Sequence, residues 1–257
     1  MPEVAVLPGA EPFSAPGGPH GALVLHGFTG NPQSMRALAK ALAGAGFTVE
    51  LPRLPGHGTT VEEMKTTSWA EWSGAAEAAY DELAGRCRQV VVVGLSMGGT
   101  LTAWLATRRP AIAGIVVINP WIEPPAPALR DILDQMVAQG IVEIPAVGSD
   151  IADPDGTELA YDRVPVSCTL SLMQASVDLQ DQLANIKCPV LIFTSPEDHV
   201  VPPVSSDTLA AKVSGPVERI TLERSYHVAT LDHDKGLIAD LTVSFAAQVT
   251  GQGTTGD

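Results

Sequence analysis

The chain has 257 residues, of which 45% are hydrophobic and 17% are charged, values typical of one large folded α/β domain and not of a disordered chain. Its formal net charge of −14 argues against nucleic acid or an anionic membrane surface as a main partner, because both bind basic proteins. The three cysteines (Cys87, Cys168 and Cys188) are odd in number and lack metal-like spacing, which predicts free, mostly buried thiols in a reducing compartment.

The first half of the chain alternates short apolar runs with helical patterns. Asn31 and Pro32 are typical of a helix start, with asparagine as N-cap and proline at the first helical position. Strands are predicted over residues 21–25 and 47–51, and a long helix around Trp69, Trp72 and Leu83. Alternation of this kind favours a mostly parallel sheet flanked by helices.

Residues 90–100 are the most informative stretch. Four valines (90–93) predict a strand buried on both faces, and Gly-Leu-Ser-Met-Gly (94–98) follows it directly. Helical spacing then runs over residues 100–109. A G-x-S-x-G motif between a strand and a helix indicates a nucleophile elbow, with Ser96 exposed at its tip. The alternative, a glycine-rich turn with an incidental serine, explains the pentapeptide but not both flanking elements.

Regular alternation stops after a predicted strand at residues 112–118 and returns with strands at 190–194 and 217–222. Between them we predict helices over 128–138 and 170–183 and a loop over 145–156. Long excursions in compact domains are often functional lids, although a plain detour of surface helices is the alternative. The prediction is a core of residues 1–120 and 188–250, a cap of 121–187 and a disordered tail of 251–257.

A serine nucleophile needs a histidine base and an acid to orient it, which in the α/β-hydrolase arrangement follow the serine in the order acid, then histidine. His227 lies just past the last predicted strand and meets that placement. Glu197 and Asp198 both follow the strand at 190–194, and spacing alone does not separate them. Three other carboxylates in this region, Asp207, Asp232 and Asp234, are interpreted as solvated surface charges.

An oxyanion hole requires two backbone N–H donors. The amide of Met97, directly after the nucleophile and at the positive end of its helix, is one candidate. The loop after the strand at 21–25 makes Phe28 the other candidate, with His26 bracing that loop.

Five motifs in this order resemble those of the α/β-hydrolases, and within them bacterial monoacylglycerol lipases and thermostable carboxylesterases. The motifs are HGFTG (26–30), LPGHG (54–58), GLSMGG (94–99), PEDHVV (196–201) and SYH (225–227). The resemblance implies a triad of Ser96, Asp198 and His227, oxyanion amides at Phe28 and Met97, and a cap over an acyl tunnel. It also implies that Glu158 of the cap helps to hold glycerol; a solvated carboxylate is the alternative.

The expected function is therefore hydrolysis of carboxylic esters, foremost monoacylglycerols, through an acyl-enzyme, with no metal and no cofactor. A broad short- or medium-chain carboxylesterase is the main alternative, while a carbon–carbon bond hydrolase, a cofactor-free oxygenase and a non-catalytic relative stay open. Residues 1–18 lack a secretory signal pattern, so a cytoplasmic protein without a transmembrane segment is expected. Weak contact with a lipid interface through an apolar cap surface is compatible with this interpretation.

Overall fold

The fold was obtained as a computed structural model, which describes residues 4–252. Within those residues nine strands and eight α-helices alternate along most of the chain. The strands are β1 (Phe13–Ala15), β2 (His20–Leu25), β3 (Thr48–Leu51), β4 (Gln89–Leu95), β5 (Ile112–Ile118), β6 (Glu143–Pro145), β7 (Arg163–Pro165), β8 (Val190–Thr194) and β9 (Val217–Thr221). The helices are α1 (Arg36–Gly44), α2 (Val61–Met64), α3 (Trp69–Arg86), α4 (Met97–Arg108), α5 (Pro127–Ala138), α6 (Val166–Leu179), α7 (Val204–Lys212) and α8 (Lys235–Thr250).

Seven strands form the central sheet in the order β1-β3-β2-β4-β5-β8-β9. All neighbours are parallel except β1, which pairs antiparallel with β3. The predicted mostly parallel sheet flanked by helices is thus confirmed. Because the carboxyl ends of parallel strands lie at one edge, the loops after β2, β4, β5 and β8 meet there.

Strand β4 lies inside the sheet and is covered by helices on both faces, which explains its continuous run of valines. Val90 and Val92 belong to the cluster that contains buried side chains of α3 and α4. Val91 and Val93 belong to the cluster on the opposite face, which contains buried side chains of α1 and α8. Alternate residues of a strand point to opposite faces, so a strand covered on both sides is apolar throughout.

The long excursion predicted between the strands at 112–118 and 190–194 contains α5, the antiparallel hairpin β6–β7 and α6. Helix α6 begins at Val166, four residues before the predicted start, and Cys168, Leu172 and Leu179 pack into the main core. Helix α5 buries only Leu133, in a small separate cluster. The two helices of the excursion therefore differ sharply in how much of their surface the protein covers.

Three further sequence expectations concern the chain end, the thiols and the membrane. Helix α8 ends at Thr250 and is followed by Gly251, whose φ is +66°. The Gln252 side chain donates to the Ala45 carbonyl oxygen at 2.7 Å, and residues 253–257 of the predicted tail lie outside the described residues. The three cysteines are free, as predicted, but only Cys168 is buried, whereas Cys87 and Cys188 are partly exposed. No helix within residues 4–252 combines the length and the apolar character needed to cross a bilayer.

Candidate active site

The nucleophile candidate Ser96 stands between β4 and α4 with φ +55° and ψ −118°, a strained conformation for a residue with a side chain. Close backbone packing imposes it. A Cβ atom on Gly94 would lie 2.1 Å from the Gly98 carbonyl oxygen, and one on Gly98 would lie 2.2 Å from the Leu25 carbonyl oxygen. Both positions therefore require glycine, because any side chain would push the strand and the helix apart.

The structure brings Asp198 and His227 together, and it leaves Glu197 exposed. The Nδ1 atom of His227 lies 2.7 Å from Oδ2 of Asp198, and the two side chains are 8% and 2% exposed. The other carboxylate oxygen of Asp198 accepts hydrogen bonds from the amides of Val200 (2.9 Å) and Val201 (2.7 Å). These amides orient the carboxylate, and the carboxylate fixes the histidine ring with Nε2 free to act as a base.

Ser96 and His227 line the same cavity, which has a volume of about 220 Å³. Phe28 and Glu158 line it too, together with mostly apolar residues of the excursion. The apolar members from the excursion include Trp121, Ile144, Pro145, Ala146, Val147, Ala160 and Val164. An apolar chamber with a few polar groups at one end is typical of sites for small ligands with a long hydrocarbon part.

The oxyanion candidates Phe28 and Met97 come from the ends of two neighbouring strands. Within residues 4–252 the Phe28 amide N–H donates to no protein acceptor, and Met97 is the first residue of α4, where amides lack intrahelical acceptors. The Phe28 ring is held edge-on to Trp72, with 5.5 Å between ring centroids. Phe28 lines the cavity, whereas Met97 is buried beside Ser96 and is not among the lining residues.

His26 and His57 are buried side chains behind the loop that carries Phe28, and neither lines the cavity. Burial lowers the pKa of His26 to about 3 and that of His57 to about 4, so both are neutral. Neutral His26 accepts a hydrogen bond from the Leu54 amide at 3.1 Å and donates from Nδ1 to the Gly27 carbonyl oxygen at 3.0 Å. It braces the loop, as the sequence predicted.

Glu158 lines the cavity from the excursion side. Burial raises the pKa of its carboxyl, while the nearby His227 and a hydrogen bond with Ser149 act in the opposite direction. One of its oxygens lies 3.0 Å from the point where a Cβ of Gly30 would stand, so the carboxyl reaches the loop that carries Phe28. The structure therefore places the predicted glycerol-binding residue near the reacting groups.

Asn119, which directly follows β5 and is not among the predicted site residues, links the acid and histidine loops. Its side chain donates to the Ser195 hydroxyl at 3.0 Å and to the His227 carbonyl oxygen at 2.9 Å, and it accepts from the Ser195 amide at 2.8 Å. Its φ is +43°, an uncommon value that asparagine tolerates better than most residues. A strand ending in Asn-Pro was the only local signal.

The interpretation of Asp232 and Asp234 as solvated charges is wrong, whereas Asp207 is exposed and pairs with Arg219 as a surface residue does. Asp232 is fully buried because its carboxylate accepts hydrogen bonds from the backbone amides of residues 152, 153, 226 and 233. Burial of Asp234 acts to raise its pKa, but hydrogen bonds from Ser225 and Arg224 hold it below its usual range.

Comparison with known proteins agrees with this geometry. The family model described as serine aminopeptidase, S33, matches residues 19–234. The chain is 46% identical to a thermostable monoacylglycerol lipase of Bacillus sp. (strain H-257), over 96% of this chain and 98% of that protein. It is 26% identical to a carboxylesterase of Bacillus subtilis (strain 168), over 89% of this chain and 92% of that protein.

One solved structure, from work on the metagenome-derived lipolytic enzymes LipS and LipT, superimposes with a TM-score of 0.91 at 43% identity, covering 95% of this chain and all of that chain. The monoacylglycerol lipase of Paleococcus ferrophilus shares the fold, with a TM-score of 0.70 at 20% identity, covering 93% of this chain and 97% of that chain. Both the family match and the 46% identical relative extend over most of the chain. The chain therefore belongs to the α/β-hydrolases, in the family described as serine aminopeptidase, S33.

Proposed function

We propose that the protein is a serine hydrolase of carboxylic esters whose preferred substrates are monoacylglycerols. The observation that carries the proposal is that Ser96 and His227, the latter bonded to Asp198, line one apolar cavity beneath the excursion, which we take to be a cap spanning residues 121–187. The 46% identical relative, named a monoacylglycerol lipase, supports the substrate class.

In the first half of the reaction Ser96 Oγ attacks the ester carbonyl while Nε2 of His227 takes its proton. Asp198 stabilises the imidazolium that forms, and the amides of Phe28 and Met97 receive the negative charge of the tetrahedral intermediate. The alcohol then leaves with the proton from His227, and an acyl group stays on Ser96. Each oxyanion donor contributes a factor of about 100 to 1,000 in rate.

In the second half a water molecule takes the place of the alcohol. His227 removes a proton from it, the hydroxide attacks the acyl-enzyme, and the fatty acid leaves as Ser96 regains its proton. The same two amides hold the second oxyanion. The groups that act on the ester and on the water are thus three side chains and two backbone amides of the chain.

Substrate selection follows from the two kinds of surface in the cavity. The apolar residues of β6, of β7 and of the segment that connects them suit a single acyl chain, and Glu158 supplies a hydrogen-bonding group for the free hydroxyls of glycerol. A diacylglycerol would have to place a second chain against that carboxyl. We therefore propose Glu158 as a substrate-binding residue that favours monoacylglycerols.

The surroundings of the enzyme are also proposed. The free thiols Cys87, Cys168 and Cys188 suit a reducing, cytoplasmic setting. Exposed apolar side chains of the cap suit weak contact with lipid aggregates, to which the acidic surface adds no electrostatic attraction.

The test measures hydrolysis of 1-monoacylglycerols, diacylglycerols, triacylglycerols and nitrophenyl esters over a series of acyl lengths, with the Ser96→Ala variant as control. We expect monoacylglycerols with medium or long chains to give the highest kcat/KM, and Ser96→Ala to reduce it more than about a thousandfold. Glu158→Gln should raise KM for monoacylglycerols and leave nitrophenyl esters unchanged. Substantial turnover by Ser96→Ala would disprove the assignment of the nucleophile.

The second candidate function is a general carboxylesterase, favoured by the 26% identical Bacillus subtilis relative of that name. It uses the same triad and differs in the cap alone. A preference for short simple esters in the same series, together with no effect of Glu158→Gln on glycerol esters, would replace the lipase proposal with this one.

A further inference from the structure

Asp150 lies in the part of the excursion that connects β6 to β7. Its carboxylate contacts the two loops that carry the acid and the histidine. One oxygen, Oδ2, accepts hydrogen bonds from the backbone amides of His199 at 3.0 Å and His227 at 3.1 Å. The other, Oδ1, lies 2.8 Å from Nδ1 of the His199 ring. The side chain is 12% exposed, so it is largely withdrawn from water.

The backbone of Asp150 adds a second link to the histidine loop. Its carbonyl oxygen accepts from the amide of Val228 at 3.0 Å. One cap residue thus bonds the amides of two successive residues, His227 through its side chain and Val228 through its main chain. The peptide of His227 is held on its other side by Asn119, whose side chain donates to the His227 carbonyl oxygen at 2.9 Å.

The partners of Asp150 lie next to, or within, the Asp198–His227 pair. His199 directly follows Asp198, and the second partner is the catalytic histidine itself. The Asp198–His227 hydrogen bond joins two side chains from separate loops, so its length depends on how those loops are spaced. A carboxylate that binds the backbone of both loops sets that spacing.

Resting on the proposed function, we propose that Asp150 is a positioning residue that holds the acid and histidine loops at the separation the Asp198–His227 pair requires. It acts through the backbone of these loops and does not line the substrate cavity within the described residues. The cap consequently has a part in catalysis that is separate from substrate binding.

The size of the expected effect follows from the geometry. Removing the carboxylate leaves two backbone amides without their acceptor, and a displacement of about 1 Å at a catalytic group is able to cost about 100-fold in rate. We expect Asp150→Ala to lower kcat by about 10- to 100-fold. KM should stay within about threefold, because the residue does not contact the chamber that holds the acyl chain.

The contact between Asp150 and the His199 ring should contribute less to loop position than the two amide contacts. That ring is 54% exposed and packs edge-on against Tyr226, with 4.7 Å between centroids. An ion pair at the surface contributes little, whereas two amides held by a largely buried carboxylate contribute directly to backbone position. His199→Asn should therefore lower kcat no more than about twofold.

Asparagine at position 150 separates positioning from charge. Its side-chain oxygen is able to accept from both amides in place of Oδ2, so Asp150→Asn keeps the link to both loops while it removes the negative charge. A positioning role predicts that Asp150→Asn retains most of the kcat that Asp150→Ala loses. Serine at this position reaches a single amide, and Asp150→Ser should lie between the two.

The experiment measures kcat and KM of the full chain with a soluble nitrophenyl ester for Asp150→Ala, Asp150→Ser and Asp150→Asn. The exposed Asp155 of the same loop provides the matched control, Asp155→Ala. Proton NMR of each variant follows the downfield Nδ1–H resonance of the Asp198–His227 hydrogen bond, and circular dichroism establishes that the variant is folded. We expect this resonance in the wild type, Asp150→Asn and Asp155→Ala, and its loss in Asp150→Ala.

The outcomes are distinct. A folded Asp150→Ala with wild-type kcat and an intact resonance would overturn the positioning role, as would equal losses in the alanine and asparagine variants. If the alanine variant does not fold, Asp150→Ser decides: a folded serine variant with wild-type kcat overturns the proposal. If the wild type hydrolyses no ester, the proposed function fails, while the resonance still reports whether Asp150 sets the distance between the two loops.

Discussion

Two stretches of the excursion differ in how strongly they are bound to the core. The outer stretch, residues 127–147, contains α5 and β6 and touches the core little; the anchored stretch, residues 149–161, has no regular element and is bound to the core by many polar contacts. The presence of helices and strands therefore does not indicate which part of the excursion is firmly bound to the core. The number of buried polar contacts is the better guide.

The anchored stretch is attached at both of its ends. Near its start the amides of Ala152 and Asp153 donate to the buried carboxylate of Asp232 at 2.7 and 2.9 Å. Near its end the Tyr161 amide donates to the Thr29 carbonyl oxygen at 3.2 Å, and the Tyr161 hydroxyl donates to the Gly56 carbonyl oxygen at 2.9 Å. These contacts reach three loops around the proposed site.

The outer stretch instead presents apolar side chains to solvent. In α5 only Leu133 is buried. The exposed large apolar residues of this stretch are Leu129, Ile132, Val137, Ile141, Val142 and Val147. Exposed apolar side chains of this kind suit the weak contact with lipid aggregates that is proposed above.

The largest effect on stability should come from removing the Asp232 carboxylate, which binds the anchored stretch. Asp232→Ala leaves four backbone amides without their shared acceptor in a dry environment, and breaking a buried charged contact typically costs about 3–5 kcal/mol. We expect the free energy of unfolding to fall by about that amount in urea denaturation, with activity lost at lower urea concentration than in the wild type.

Asp207→Ala is the matched control for that experiment, since Asp207 is exposed and pairs with Arg219 on the surface. Its effect should stay within about 0.5 kcal/mol. Equal losses in the two variants would contradict the idea that the anchored stretch depends on a buried carboxylate.

An intermediate effect should appear on acidification, through the loop at residues 52–60 to which Tyr161 binds. His26 and His57 support this loop, and burial lowers their pKa to about 3 and about 4, below the value of about 6.5 expected in the unfolded chain. Protons thus bind the unfolded state first. Stability contributed by the neutral rings is complete above about pH 6.5 and is lost as the pH falls toward 4.

The variant His57→Asn tests this sign, because an amide is able to donate to the Pro55 carbonyl oxygen as the ring does but does not titrate in this range. Between about pH 6.5 and 4.5 the free energy of unfolding should fall less steeply in the variant, by up to about 1.4 kcal/mol per pH unit. Between about pH 7 and 8 the slopes should coincide. Parallel curves throughout would refute a neutral buried His57.

The smallest effect on stability is expected in the outer stretch. Ile132→Ser should change the free energy of unfolding by less than about 0.5 kcal/mol, because the side chain is already exposed. It should leave kcat/KM for a soluble short ester within about twofold and reduce that for aggregated long-chain monoacylglycerol by about threefold or more. The neighbouring exposed Gln135 serves as control, and an equal reduction in Gln135→Ser would argue against an apolar contact surface.

Residue patterns predicted the sheet, its flanking helices and the order of the site motifs, because each of these depends on local spacing. The bounds predicted for the strands at 112–118 and 190–194 match β5 and β8. Helix α4 begins at Met97, three residues before its predicted start, because Gly98 and Gly99 are helical here despite their low helix propensity. Close packing against β2 and the chain after β5 requires these two glycines.

The roles of the carboxylates that bind the loops could not be predicted from local residue patterns. Asp232 and Asp234 look like surface charges in a polar stretch, and only the return of residues 152 and 153 buries one of them, 80 positions away in the chain. Asn119 and Asp150 likewise bind loops 76 or 77 positions away. Their roles depend on tertiary proximity, which a single sequence expresses only through motifs, and these residues belong to none of the five motifs.

The close approach at Gly98 has a consequence for the chemistry. A Cβ atom on Gly98 would lie 2.2 Å from the Leu25 carbonyl oxygen and 2.8 Å from that of His26, so the helix that begins at Met97 packs directly on the main chain just ahead of Phe28. The gap between the two proposed oxyanion amides is accordingly set by main-chain contact alone. Exchanging side chains in the cavity would alter which ester enters, but the dimension that fits the oxyanion would stay constant. A site built in this way is able to change its substrate without changing its reaction.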